Sequence, residues 1–81
     1  MTNCEKFLRV YFDSIGIKDY TIQTSEDGMG FIIAVTIPRY NNERIGILRG
    51  KKNKNLSYLK TMLHIIGPLE DRNPFLIIKI D

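Results

Sequence analysis

Tryptophan is missing from this chain of 81 residues, and cysteine and histidine occur once each. A single thiol, Cys4, excludes an internal disulfide, and the lone imidazole of His64 builds no metal site without several carboxylates gathered around it. No metal and no cofactor are therefore expected, and a reducing cytoplasm is the natural setting. The apolar runs Phe31 to Val35 and Phe75 to Ile78 are far too short to cross a bilayer. The N-terminus starts polar and acquires Glu5 before any apolar stretch, so neither a signal peptide nor a membrane partner is expected. Reaction chemistry also lacks its usual residues. Cys4 has no credible partner base, and the adjacent Glu26 and Asp27 read as turn formers, without the facing geometry that acid-base work needs. Gly50 and Lys51 do not make a Walker pattern, because the upstream glycine spacing and the following serine or threonine are missing. The chain is expected not to be an enzyme.

A chain this short makes one domain, residues 1–81, and buries only roughly 60% of the surface exposed when unfolded, so its core must be compact. Its charge is unevenly placed. Residues 39–60 hold seven cations, Arg39, Arg44, Arg49, Lys51, Lys52, Lys54 and Lys60, against Glu43 alone, while the segments on either side are mildly acidic. A basic middle of this kind points to a polyanionic partner.

Apolar periodicity supplies the elements. Phe7, Leu8, Tyr11, Phe12 and Ile15 recur at helical spacing, with Thr2 and Glu5 in a capping-box pattern and Gly16 as the helix stop. Tyr20, Ile22 and Thr24 alternate with Thr21, Gln23 and Ser25 as in a strand. A turn at Glu26, Asp27 and Gly28 then leads into a second, more buried strand, Phe31 to Ile37, which stops at Pro38. Asn41 or Asn42 caps a short helix from Glu43 to Arg49, which Gly50 ends. Lys51 to Asn53 form a loop, and a second helix runs from about Asn55 to Ile66, with Leu56, Leu59, Leu63 and Ile66 on one face. Gly67 and Pro68 terminate it. A last strand, Phe75 to Ile80, puts Leu76, Ile78 and Ile80 on one side and Phe75, Ile77 and Lys79 on the other. The order α, β, β, α, α, β defines an α+β domain.

Gly46 to Leu63, GILRGKKNKNLSYLKTML, carries the functional signal. A cationic turn there joins two helices. A phosphodiester chain running along it meets Gly50, where the missing side chain permits close approach, then Lys51, Lys52 and Asn53. Backbone N–H groups at the start of the following helix add donors suited to an anion.

That segment and the element order resemble the KH-domain family of RNA-binding modules in its type II arrangement, in which a helix and a strand precede a β-α-α-β core. KH domains carry a motif close to G-x-x-I-G-x-x-G-x-x-L/I between the two core helices, and Gly46, Gly50, Lys51, Lys52, Asn53 and Leu56 occupy the corresponding places. The small bacterial proteins made of a single KH domain and the KH part of Jag-type proteins look most alike. Asn53 stands where the second glycine is expected, and asparagine is the commonest non-glycine residue in the left-handed region. Arg49 replaces the isoleucine or valine before the first glycine and adds a cation.

The resemblance implies three helices packed on one face of a three-stranded sheet, and a groove that holds about four nucleotides of single-stranded RNA or DNA. The expected contacts are Gly46, Ile47, Arg49, Gly50, Lys51, Lys52, Asn53 and Lys54, with Ile47 or Ile45 as an apolar floor. Tyr40 and Tyr58 are the stacking candidates within the basic segment, while Tyr11, Phe12, Tyr20, Phe31 and Phe75 fall within the apolar periodicity and read as core or interface. The family's habit of pairing implies a homodimer or a heterodimer with another KH protein. Arg49 and Asn53 also fit an alternative, a KH-fold protein-interaction module that has lost nucleic-acid binding.

Overall fold

The computed structural model describes residues 3–27, 30–70 and 73–81. Its elements are α1 (Asn3–Ser14), β1 (Thr21–Asp27), β2 (Gly30–Ile37), α2 (Asn42–Arg49), α3 (Lys54–Ile66) and β3 (Pro74–Ile80). Short 3₁₀ turns at Arg39–Asn41, Lys51–Asn53 and Gly67–Glu70 connect them. The expected order α, β, β, α, α, β is the observed one. Thr2 of the capping pattern, Gly28 of the hairpin turn, and Asp71 and Arg72 of the polar stretch before β3 lie outside the described residues.

β2 is the central strand of a three-stranded sheet, antiparallel to β1 and parallel to β3. Its residues alternate strictly, with Phe31, Ile33, Val35 and Ile37 buried on the helix side. Register brings Ile22 and Ile78 beside Val35, and Leu76 beside Ile33, so all three strands turn apolar side chains towards the helices. Cys4, Leu8 and Phe12 of α1, Ile45 and Leu48 of α2, and Leu59 and Leu63 of α3 close the core from above. Each fully buried Leu or Phe among them contributes about 1.5–3 kcal/mol. The opposite face of the sheet carries Gln23, Ser25, Ile32, Ala34, Phe75, Ile77 and Lys79, and no helix of the described residues covers it.

One local expectation is corrected. Glu26 and Asp27 do not form the hairpin turn; they extend β1 and pair with Phe31 and Gly30. The reason is that the ladder from Thr21 continues in register as long as β2 offers partners, and Glu26 stays exposed within it. As expected, α3 ends at Ile66, with Gly67 as its C-cap. Gly67 keeps a right-handed helical conformation, and the chain tightens through Glu70 into a 3₁₀ turn. Pro68 fits this, since the first turn of a helical segment needs no N–H donor.

The end of α1 shows how sequence punctuation positions the rest. Gly16 takes φ +80°, its N–H donates to the Asp13 carbonyl, and Ile17 N–H reaches back to Phe12, the paired bonds of a Schellman motif. A Cβ at Gly16 would come within 3.3 Å of Arg44 Nε. The guanidinium therefore lies over the negative end of the α1 dipole, which has no basic residue of its own in its last turn. Asn41, expected as a cap for α2, sits at the cap position but turns its side chain inward. Its Nδ2 donates to the carbonyls of Lys18 and Pro38, and its Oδ1 accepts from Lys18 N–H, at 3.0–3.1 Å. Being buried, the carboxamide is worth more tying the α1–β1 connection to the entry of α2 than capping a helix in solvent.

Candidate nucleic-acid interface

The basic turn is built by three successive backbone choices. Gly50 ends α2 with φ +69° and ψ 179°, a conformation open to little but glycine, while its N–H still donates to Gly46 O at 2.9 Å. Lys52 and Asn53 then both enter the left-handed region, at φ 55° and 59°. Asn53 N–H closes the turn onto Gly50 O at 3.3 Å, and α3 starts at Lys54. The expectation that asparagine can stand where a second glycine belongs is met in the backbone: Asn53 is left-handed. Lys52 shares that conformation without the local hydrogen bonding that makes it easier for asparagine, so it carries a strain of about 1–2 kcal/mol.

Asn55 holds this turn in place. Its Nδ2 donates to the Ile47 carbonyl at 2.7 Å, reaching from the first turn of α3 back to the last turn of α2. The side chain passes directly beneath Gly50, where a Cβ would meet it at 2.7 Å. Gly50 is thus required twice, by its dihedral angles and by the carboxamide below it.

Arg49, Lys51, Lys52, Asn53 and Lys54 are all exposed, and Gly50 is half-buried. The four cations make no ion pair with any described residue. Glu43, the one acid of the basic segment, stands in the first turn of α2, at the end away from the turn. The Asn53 side chain caps no N–H of α3, leaving the first-turn donors without a side-chain acceptor. Cations and backbone donors thus crowd one corner of the molecule, while the carboxylates of α1 and β1 lie on other elements.

Further back on α2, Gly46 and Ile47 belong to its solvent face. A Cβ at Gly46 meets nothing within 4 Å, so this glycine serves no close helix packing. Of the two candidates for an apolar floor, Ile45 is in the core, 7% exposed, and Ile47 is the accessible one, at 42%.

Tyr40 and Tyr58, the expected stacking candidates, are both exposed, at 64% and 55%. The Tyr40 hydroxyl donates to the Asp19 carboxylate, and this bond raises its pKa above the ordinary tyrosine value, with some desolvation and the Asp19 charge adding to it. Tyr58 lies on the α1 side of α3; burial lifts the Tyr11 hydroxyl and the neighbouring Tyr58 adds to the shift. Phe12 and Tyr20 pack at 5.1 Å between ring centroids, and Phe31 is buried, as their periodicity predicts. Phe75 departs from it, with 62% of its surface exposed on the uncovered side of β3. The signal was present in the sequence: Phe75 shares its parity with Lys79, a residue that no core accepts. Asn55 gave no such signal, since an asparagine near a helix start reads as a cap.

Cys4 is fully buried beside Leu8, a packing residue. His64 is exposed in the last turn of α3. Among the described residues no group of His, Cys, Asp or Glu is placed to hold a metal ion, and no helix is long and apolar enough to cross a membrane. Compared with protein-family models, curated proteins and solved structures, the chain finds no match.

Proposed function

We propose that this chain is a KH-like, non-enzymatic module that binds single-stranded RNA through the turn between α2 and α3. One observation carries the reading: Arg49, Lys51, Lys52 and Lys54 stand exposed around a glycine-hinged turn with no acid of the described residues paired to them. Unpaired cations of one sign, clustered within six residues, repel each other and gain from a polyanion that releases its counterions on binding. The turn's first-turn N–H donors add main-chain contacts to phosphate. Gly46 and Ile47 extend the surface along α2, a bare stretch of backbone beside an apolar side chain. The order of elements and the G-x-x-N turn support the KH likeness. Single-stranded DNA offers the same phosphates, and base identity is read by contacts outside the turn.

A module with so small a footprint gains affinity by linkage to a second copy or to another KH protein in a cytoplasmic assembly. The bare sheet face, with Ile32, Ala34, Phe75 and Ile77 on it, favours a second reading, a protein-interaction module in which the basic turn is only a solvated surface.

Binding of labelled single-stranded RNA, measured at two salt concentrations for the parent and for Lys51→Asp with Lys52→Asp, separates the two. The RNA reading expects affinity to fall about tenfold or more in the variant and its salt slope to shrink by about 2. Equal affinity in a folded variant removes the turn from the interface. Absence of amide shifts at residues 44–58 at low salt, together with a stable dimer, favours the protein-binding reading.

A further inference from the structure

The sheet ends on two strands that meet solvent differently. β3 opens on Pro74 and carries Lys79, and both residue types discourage the addition of a further strand. β1, at the other end, has neither. Each of its 7 residues, TIQTSED, pairs with one residue of β2 in unbroken register, so no bulge turns the edge aside. Successive residues of a strand point to opposite faces, and Gln23, Thr24, Ser25 and Glu26 are all exposed. No described element therefore covers that half of β1. Its outer row of N–H and C=O groups faces solvent over about 20 Å, beside hydroxyl-bearing side chains that suit a ladder as well as water. Carboxylates collect on the same side of the sequence, where residues 1–38 hold Glu5, Asp13, Asp19, Glu26 and Asp27 against three cations. Asp13 accepts from the Tyr20 hydroxyl at 2.9 Å just ahead of the strand, and Arg9 lies 3.9 Å from Glu5 and over the Tyr20 ring.

We propose that β1 accepts an extended, cationic segment of a different polypeptide as a fourth strand of the sheet. Main-chain hydrogen bonds along the open edge hold the segment, and its Lys or Arg side chains face the carboxylates of α1 and β1. Charge selects this occupant over two others. A second copy of the chain, laid β1 against β1, sets two acidic flanks side by side, and like charges across a ladder are destabilising. A polyanion is repelled by the same groups. The edge shares no residue with the basic turn, so the inference stands apart from the RNA reading. It gives the domain two charge-sorted ends, with a cationic turn on one and an acidic strand edge on the other.

The test titrates the full chain, isotope-labelled, with a capped peptide of alternating threonine and lysine and with its counterpart carrying glutamate for each lysine. The lysine peptide is expected to shift the amides of residues 21–27, to slow their hydrogen exchange, and to bind more weakly as salt rises. The glutamate peptide shifts none of them. Gln23→Lys with Ser25→Lys places two guarding cations on exposed positions of the edge and is expected to lower affinity for the lysine peptide about tenfold. Equal responses to the two peptides, shifts confined to other elements, or no shift at millimolar peptide each overturn the proposal. Unchanged affinity in the folded double variant does so too. Amide shifts at β1 that grow with protein concentration alone put a second copy on the edge and likewise overturn it. Should the double variant fail to fold, the parent's discrimination between the two peptides decides.

Discussion

The Asn55 carboxamide donates to the Ile47 carbonyl at 2.7 Å while lying in the space that a side chain at position 50 would need. A single polar contact therefore sets both the angle at which α2 hands over to α3 and the identity of the residue between them. Because the contact is exposed, water competes for both partners. Its effect on stability is small, but its effect on the shape of the turn is not.

Replacing Asn55 by alanine is expected to lower stability by about 0.5–1.5 kcal/mol, the net worth of an ordinary hydrogen bond. Gly50→Ala is expected to cost about 1–3 kcal/mol from its backbone conformation alone, with the clash against Asn55 in addition. The double variant should lose less than the two singles together, because removing the carboxamide removes the clash while the strained dihedral angles remain. Urea unfolding of the four proteins measures this. Strict additivity would mean that the two side chains do not compete for that space.

Asn53 offers a test of the turn itself. With φ 59° and ψ 25° it occupies the left-handed region, so Asn53→Gly should keep the stability of the parent or raise it slightly. Asn53→Val, β-branched in the same conformation, should lose about 1–2 kcal/mol. If the turn holds single-stranded RNA as proposed, binding should survive the glycine, which keeps both the turn and its cations. Thermal melts of the pair, with parent-like stability for valine, would contradict the left-handed turn.

Much of this architecture could be read from residue spacing, and the exceptions have physical causes. Leu56, Leu59, Leu63 and Ile66 placed α3 because a helix with one buried face leaves a period that no other element mimics. Gly16 and Gly50 marked helix ends because both positions demand dihedral angles that other residues resist. Glu26 and Asp27 misled because acidic residues suit the end of a strand as well as a turn, so their chemistry does not separate turn from ladder. Asn41 misled because a cap and a buried clasp use the same carboxamide, and only the three-dimensional neighbourhood of Lys18 and Pro38 decides between them. At the candidate site, the basic turn was legible because charge is a property of sequence. The Asn55 clasp was not, since it joins two elements whose mutual placement is settled by packing.

The tyrosines set a pH dependence. Tyr40 has its pKa raised chiefly by the hydrogen bond to Asp19, and Tyr20 has its pKa raised by burial first and then by its bond to Asp13 at 2.9 Å. A folded-state pKa above the unfolded one means that the native chain holds its phenolic protons more tightly. That contribution is fully present below about pH 10 and is lost as pH rises through the folded values. Stability of the parent should thus decline above about pH 10. Tyr40→Phe and Tyr20→Phe, measured by denaturant unfolding from neutral pH upwards, should each show a shallower decline relative to its own neutral value. A slope identical to the parent in both would remove these hydroxyls from the account.

Gly46 separates what the fold needs from what a ligand needs. In the interior of α2 a glycine is less favourable than alanine by roughly 0.5–1 kcal/mol, and here a Cβ would meet nothing within 4 Å. Gly46→Ala is therefore expected to raise stability by about that amount. If an RNA backbone runs over the solvent face of α2 beside Ile47, the added methyl group stands in its way, and affinity should fall in the same variant that melts at a higher temperature. The two readouts move in opposite directions, so a general structural effect cannot imitate the result. A more stable Gly46→Ala variant that binds single-stranded RNA as tightly as the parent would place the strand off α2, leaving the turn at Gly50 to Lys54 as its site.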